Sequence, residues 1–240
     1  MVQVARALAA ALGALVALLA ALSLVVPLDT VAWVAGLAGG LLVTASVAHA
    51  APGVLGPADL VTLTRALLAC VVAALVAQGV LGDQVTPLLV TVAATALALD
   101  AVDGRVARAT GTQTGFGARF DGEADAFLLL VLSVPVAQEH GAWVLLVGLA
   151  RYAFWGAGVV APWLRAPLPR RDWRKVVTAV QGIALVVAAS GVLPTVPTDA
   201  ALLVALGLLA ESFGRDVVWL ARHRAGAHAG ALGGRRLPVP

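Results

Sequence analysis

The chain has 240 residues, 61% of them hydrophobic and only 12% charged, with a formal net charge of +3. A mean hydropathy of +0.97 lies outside the range of soluble globular domains and excludes one. The basic residues are scattered over short loops and the C-terminal end, so they mark membrane topology and not a nucleic-acid partner. The single cysteine, Cys70, sits inside an apolar run; it leaves no disulfide framework or zinc cluster and is read as an inert core residue.

Taken in chain order, the apolar material falls into eight blocks of bilayer-crossing length, at about 7–27, 30–50, 60–81, 85–103, 117–137, 141–161, 175–193 and 198–220. The fold class predicted is all-α, a polytopic transmembrane helical bundle with short connections. The first block is too long for a signal-peptide core, and a second block precedes the "AHA" at 48–50, so no cleavage is expected there. The first two blocks form a hairpin in which no chemistry is visible.

The loops give an orientation. Those after blocks one, three, five and seven hold Asp29, Asp83, Glu139 with His140, and Asp199, without Lys or Arg. The opposite side carries Arg6, Arg105, Arg108, Arg165, Arg170, Arg171, Arg174 and Lys175, and the tail adds Arg222, Arg224, Arg235 and Arg236. The positive-inside rule places both termini and that whole side in the cytoplasm.

Between blocks four and five the sequence reads "DAVDGRVARATGTQTGFGARFDGEADA" at 100–126, which gathers Asp100, Asp103, Asp121, Glu123 and Asp125 out of 13 acidic residues in all. Asp100 and Asp103 are spaced i, i+3 and Asp121 and Asp125 i, i+4, so each pair projects from one helix face. The segment between them, 104–117, reads as a loop that makes the two helices neighbours and lets four carboxylates converge. Two carboxylates about 5 Å apart repel by roughly 3 kcal/mol at an effective dielectric near 20. Four require protons or cations, and oxygen-only ligands suit Mg²⁺ or Mn²⁺. A pair of such ions is a device for phosphoryl displacement. Gly104 and Gly117 leave room for a ligand, a nucleotide or a close helix contact, and Arg108 is placed to meet a phosphate. The competing reading is an ion or proton path in a transporter, but no internal repeat with interrupted helices is visible.

As a pattern the stretch is D-x2-D-G-x2-A-R-x8-G-x3-D-x3-D, with Asp100, Asp103, Gly104, Ala107, Arg108, Gly117, Asp121 and Asp125 at its fixed positions. It closely resembles the signature of the CDP-alcohol phosphatidyltransferase family. The resemblance runs over residues 56–220, the six-helix core of that family. It leaves 1–55 as an added two-helix transmembrane hairpin and 221–240 as a basic cytoplasmic tail. "PADLVTLTR" at 57–65 is similar to the family's first-helix segment, with Asp59 where Asn is usual and Thr62 and Arg65 at matching places. "WRKVVTAVQ" at 173–181 is similar to a later basic segment, with Val177 where Lys is common.

The resemblance implies transfer of a phosphatidyl group from CDP-diacylglycerol to a hydroxyl acceptor with release of CMP, within phospholipid biosynthesis. The alternatives are transfer from a soluble CDP-alcohol onto a lipid hydroxyl, or a non-enzymatic scaffold or transporter. It further implies two metal ions, Mg²⁺ or Mn²⁺, on Asp100, Asp103, Asp121 and Asp125, with Asp125 also the base. A nucleotide site of Asp59, Thr62, Gly104, Ala107, Arg108 and Gly117 follows, and homodimers are common in the family. Arg65, Arg119, Arg151 and Lys175 are the candidates for the acceptor. Two readings of Arg151, in mid-block six, stay open: an anchor for an anionic group, or an ion pair with an acid such as Glu211 or Asp216. Arg119 and Glu123, at i, i+4, are expected to pair with each other. The run Arg165, Arg170, Arg171, Arg174 and Lys175 reads as a lipid-facing cytoplasmic cluster.

Overall fold

The computed structural model describes residues 2–51, 53–79, 86–110, 114–169 and 172–233. Every regular element among them is helical: α1 (Val2–Ser23), α2 (Thr30–Ala50), α3 (Pro57–Gly79), α4 (Thr86–Thr110), α5 (Gly115–His140), α6 (Leu145–Val160), α7 (Asp172–Ala189) and α8 (Thr195–Gly233), with short 3₁₀ turns at Ala142–Val144 and Pro162–Arg165. Eight helices stand where eight apolar blocks were predicted, and the chain is a polytopic helical bundle.

Helices α1, α2, α3, α6 with its preceding turn, and α8 are long and apolar enough to cross a bilayer, and α4 adds an apolar stretch over Thr86–Asp100. Two expected boundaries move. The segment 104–117 is not a loop: α4 continues to Thr110 and α5 begins at Gly115, so the aspartates project from helix on both sides. Thr114 caps α5 by accepting the Gly117 N–H at 2.8 Å. The eighth helix runs well past residue 220.

Packing is organised on α3. Two-thirds of its apolar window (67%) is buried inside the bundle, against 22–33% for α1, α2, α6 and α8. It touches α4, α2, α5 and α1, while α7 closes the other side against α4, α5 and α8. The hairpin meets α3 through small residues: Gly36 and Gly39 of α2 are buried, and a Cβ at Gly39 would stand 3.2 Å from Cys70 Sγ and 3.3 Å from Phe127 Cζ. Small residues are what bring helices together in lipid, where apolar surface alone gives no preference for protein over acyl chain. Asp29 caps α2 at Ala32 N (2.8 Å), and its own N–H donates to Gln78 Oε1 at 2.9 Å, pinning the hairpin to the far end of α3. At that same end His140 Nδ1 and Asp199 Oδ1, 2.6 Å apart, tie α5 to the start of α8.

Candidate active site

The site is assembled where α4 ends and α5 begins, against the first turns of α3. Pro57 opens α3 at its first position, where a missing N–H costs nothing. Two residues on, Asp59 turns back so that Oδ2 accepts the Gly56 N–H at 2.9 Å, one half of a capping box. Asp59 and Thr62 are buried, and Thr62 Oγ1 donates to Ala58 O at 3.1 Å. Gly117 lies against this turn: a Cβ there would sit 2.7 Å from Asp59 Oδ1. The space left by Gly117 is therefore taken up by a close contact between α3 and α5, one of the two uses its sequence position allowed. Phe116 and Phe120, buried with ring centroids 5.8 Å apart, seat this first turn of α5 in the core.

One α-turn further along α3 stands Arg65, only 3% exposed. Its Nη1 lies 2.6 Å from Asp121 Oδ1 and its Nη2 3.1 Å from Asp100 Oδ1. The same Nη2 binds Asp125 Oδ1, and Nε donates to Ala96 O at 3.3 Å. The sequence reading set Arg65 toward the acceptor; its guanidinium lies among the aspartates. Around it, carboxylate oxygens of the partly buried Asp100, Asp121 and Asp125 lie within 4.8 Å of one another. Asp103 is one turn beyond Asp100 on α4 and Gly104 follows it. The side chains of Asp103, Ala107 and Arg108 lie outside the described residues, so their expected roles find no geometry here.

Residues 55–211, more than half of the chain, match the model of the CDP-alcohol phosphatidyltransferase family. The chain belongs to this family. No curated protein and no solved structure matches it. As a CDP-alcohol phosphatidyltransferase it is a phosphotransferase of phospholipid biosynthesis that uses a CDP-alcohol and a hydroxyl acceptor, and the family is metal-dependent. The donor set fits a metal of that kind. Asp100, Asp121 and Asp125 present three anionic oxygens within 4.8 Å, with neither sulfur nor imidazole in the group. Among the described residues one guanidinium lies between them and offsets a single charge of three, which leaves a hard, anionic oxygen site suited to a divalent cation.

A second feature of this phosphatidyltransferase is a cleft of about 810 Å³ between α5, α6, α7 and α8. Arg119, Arg151, Arg165 and Arg174 line it together with Glu123 and Asp216, over an apolar wall that includes Phe154, Trp155 and Phe213. Arg151 does pair with an acid, though not with either of the two offered as examples. Its partner is neither Glu211 nor Asp216 but Glu123: Nη2 and Nε lie 2.6 Å and 3.2 Å from Glu123 Oε1. The antiparallel pairing of α5 with α6 sets position 123 opposite 151, and Gly122 gives the guanidinium room, since a Cβ there would stand 3.2 Å from Arg151 Nη2. The expected Arg119–Glu123 pair is accordingly not the one formed. Glu211 pairs with Arg215 one turn away and accepts from Trp173 Nε1 at 3.1 Å, while Asp216 holds Arg174 Nη2 at 2.7 Å. Lys175, exposed on α7, is near enough to Asp100 to act on it electrostatically.

Proposed function

We propose that the chain transfers a phosphatidyl group from CDP-diacylglycerol to a polar, anionic hydroxyl acceptor and releases CMP, at the cytoplasmic face of the membrane. The observation that carries this reading is the convergence of Asp100, Asp121 and Asp125 around Arg65 within a membrane bundle of the family. Asp103, one turn from Asp100, completes the proposed ligand set for two ions, Mg²⁺ or Mn²⁺. When bound, these ions neutralise charge on the pyrophosphate and favour departure of CMP.

The chain's own residues supply the rest. Arg65 fixes the carboxylates of α4 and α5 in one cluster through charge-assisted hydrogen bonds. Asp125 takes the acceptor's hydroxyl proton as the acceptor oxygen bonds to the β-phosphorus and the bond from that phosphorus to the oxygen of CMP breaks. Asp59, Thr62, Gly104, Ala107, Arg108 and Gly117 form the nucleotide side, with Asp59 and Gly117 acting through the α3–α5 contact. Arg119 and Arg151 in the cleft, and Lys175 near Asp100, form the acceptor side. A cleft with four guanidiniums suits a charged, water-soluble acceptor. Acyl chains then belong to the donor, which favours CDP-diacylglycerol over a soluble CDP-alcohol.

Purified protein, labelled CDP-diacylglycerol, Mn²⁺ or Mg²⁺ and a panel of anionic and neutral acceptors test this directly. Release of CMP with an anionic acceptor, abolished by EDTA, is the result expected. The Asp125→Asn variant should keep CDP-lipid binding and lose turnover. Product formed only from diacylglycerol and a soluble CDP-alcohol would reverse the assignment of donor. Undiminished turnover in metal-free buffer would remove the two ions from it, and no CMP release from any pair would leave a scaffold.

A further inference from the structure

Helix α8 has 39 residues, which at about 1.5 Å per residue makes it roughly 58 Å long. That is about twice the ~30 Å thickness of a hydrocarbon core. Its C-terminal half therefore continues into the headgroup region, at the end of the bundle where α7 begins. A cavity of about 490 Å³ opens between these two segments, adjoining the four-helix cleft and sharing Arg174, Ser212 and Asp216 with it.

Its chemistry is two-sided. Arg174, Arg215, Arg222 and His223 line it, with Asp216 as the acid among them. That carboxylate is already held by Arg174, and Arg215 is held by Glu211. Arg222 forms no ion pair among the described residues and is exposed. Arg174 keeps a buried Nε–H without a hydrogen-bond acceptor, a group that folded proteins rarely leave unsatisfied. His223 Nδ1 lies 2.8 Å from the Trp219 carbonyl, which can only accept, so Nδ1 carries the hydrogen and Nε2 is left for another partner. The other side is aromatic and apolar. The Trp219 indole stacks on His223 at 3.9 Å, Trp173 is 40% exposed, and Val218 continues the wall with 48% exposure.

An exposed guanidinium at Arg222 and an unsatisfied N–H at Arg174 Nε ask for an anion, while two indoles and exposed valine ask for acyl chain at headgroup level. We propose that this cavity binds an anionic phospholipid, with the phosphodiester at Arg222 and Arg174 and the chains along the α7–α8 flank. A free phosphate or nucleotide would use the cations and leave the indoles and valine in water. The site is distinct from the aspartate cluster, and the inference does not depend on which donor or acceptor the enzyme uses.

The test is native mass spectrometry of the full chain in detergent, titrated with phosphatidylglycerol or phosphatidylcholine. The wild type should hold one phosphatidylglycerol more tightly than any phosphatidylcholine. In Arg222→Gln, an exposed change outside the core, that affinity should fall about fivefold. Trp219→Ala should weaken it as well, and inorganic phosphate in large excess should not displace the lipid. Equal binding of the two lipids, or phosphatidylglycerol binding unaltered in Arg222→Gln, would overturn the proposal. Displacement by inorganic phosphate or CMP would assign the cavity to a water-soluble anion instead.

Discussion

Arg65 carries one positive charge against three carboxylates, and its burial decides how much that charge matters. At 3% exposure it has almost no water to return to, while Asp121 and Asp125 beside it are 22% and 18% exposed and Asp100 39%. Removing one member of such a buried group strands the others, at a cost of about 3–5 kcal/mol. Arg65→Leu should therefore lower the thermal midpoint strongly, Arg65→Lys less, and Asp125→Asn combined with Arg65→Leu should recover part of the loss. A leucine variant that melts with the wild type would deny Arg65 this role. The Arg151–Glu123 pair behaves differently because its side chains are 43% and 59% exposed. Exposed pairs contribute about 0–1 kcal/mol, so Arg151→Ala should hardly change the melting temperature. It should raise the acceptor KM about tenfold or more, the loss expected for a hydrogen bond to a charged group, with the KM for CDP-lipid unchanged. Early melting with an unaltered acceptor KM would make the pair structural. Neither interaction was legible in the sequence. The aspartate spacings are local and repeat with the helix, so they can be read from one segment. Arg65 stands 56 and 60 positions from Asp121 and Asp125, and Arg151 stands 28 from Glu123, and only the packing of α3 and α6 on α5 brings them together.

At the scale of the element, α5 is positioned by what it lacks. Gly117 lets its first turn approach Asp59 of α3, and Gly148 of α6 lies so close to α5 that a Cβ would stand 2.5 Å from Leu130 Cα. Forcing a methyl group into such contacts costs about 1–3 kcal/mol. Gly117→Ala should lower stability and turnover together, because the same displacement moves Asp121 and Asp125 away from Arg65. The double variant Gly117→Ala with Asp59→Ala should be more stable than the two single losses added, since neighbouring sites do not add. Strict additivity in unfolding experiments would show that the clash is not with Asp59. The helices themselves were readable from apolar blocks, with one instructive miss. Gly104 and the polar residues after it read as loop, yet α4 continues to Thr110, because local propensity is a weak prior against tertiary context.

At the scale of the molecule, the orientation proposed from the positive-inside rule sets residues 142 and 168 on opposite sides of the membrane. Cys70 is completely buried and gives no background to thiol reagents. A cysteine at Ala142 should react with an impermeant maleimide from outside intact cells, and one at Leu168 only after permeabilisation. The reverse pattern would invert the proposed orientation and move the site to the outer face. The whole-chain fold was legible because composition alone demands a membrane, and the catalytic family because its fixed positions fall in one contiguous stretch. The clefts were not, since each is walled by side chains from helices far apart in the sequence or from separate segments that only packing brings together.

The central place of α3 also bears on how the protein is made. Helix α3 is strongly apolar, with a mean hydropathy of 2.3 over its best window, and enters a bilayer unaided. Helices α4, α5 and α7 bring most of the carboxylates and basic residues of the site, and among the described residues none has a full-length apolar window of that kind. A charged residue at mid-bilayer costs about 2.5–3.5 kcal/mol on insertion scales. Synthesised after α3, these helices find Arg65 already in the membrane, a waiting counter-charge against which the acidic pairs can be delivered. On that order of insertion, the residue that gathers the aspartates in the finished enzyme would also receive its most polar segments during biogenesis.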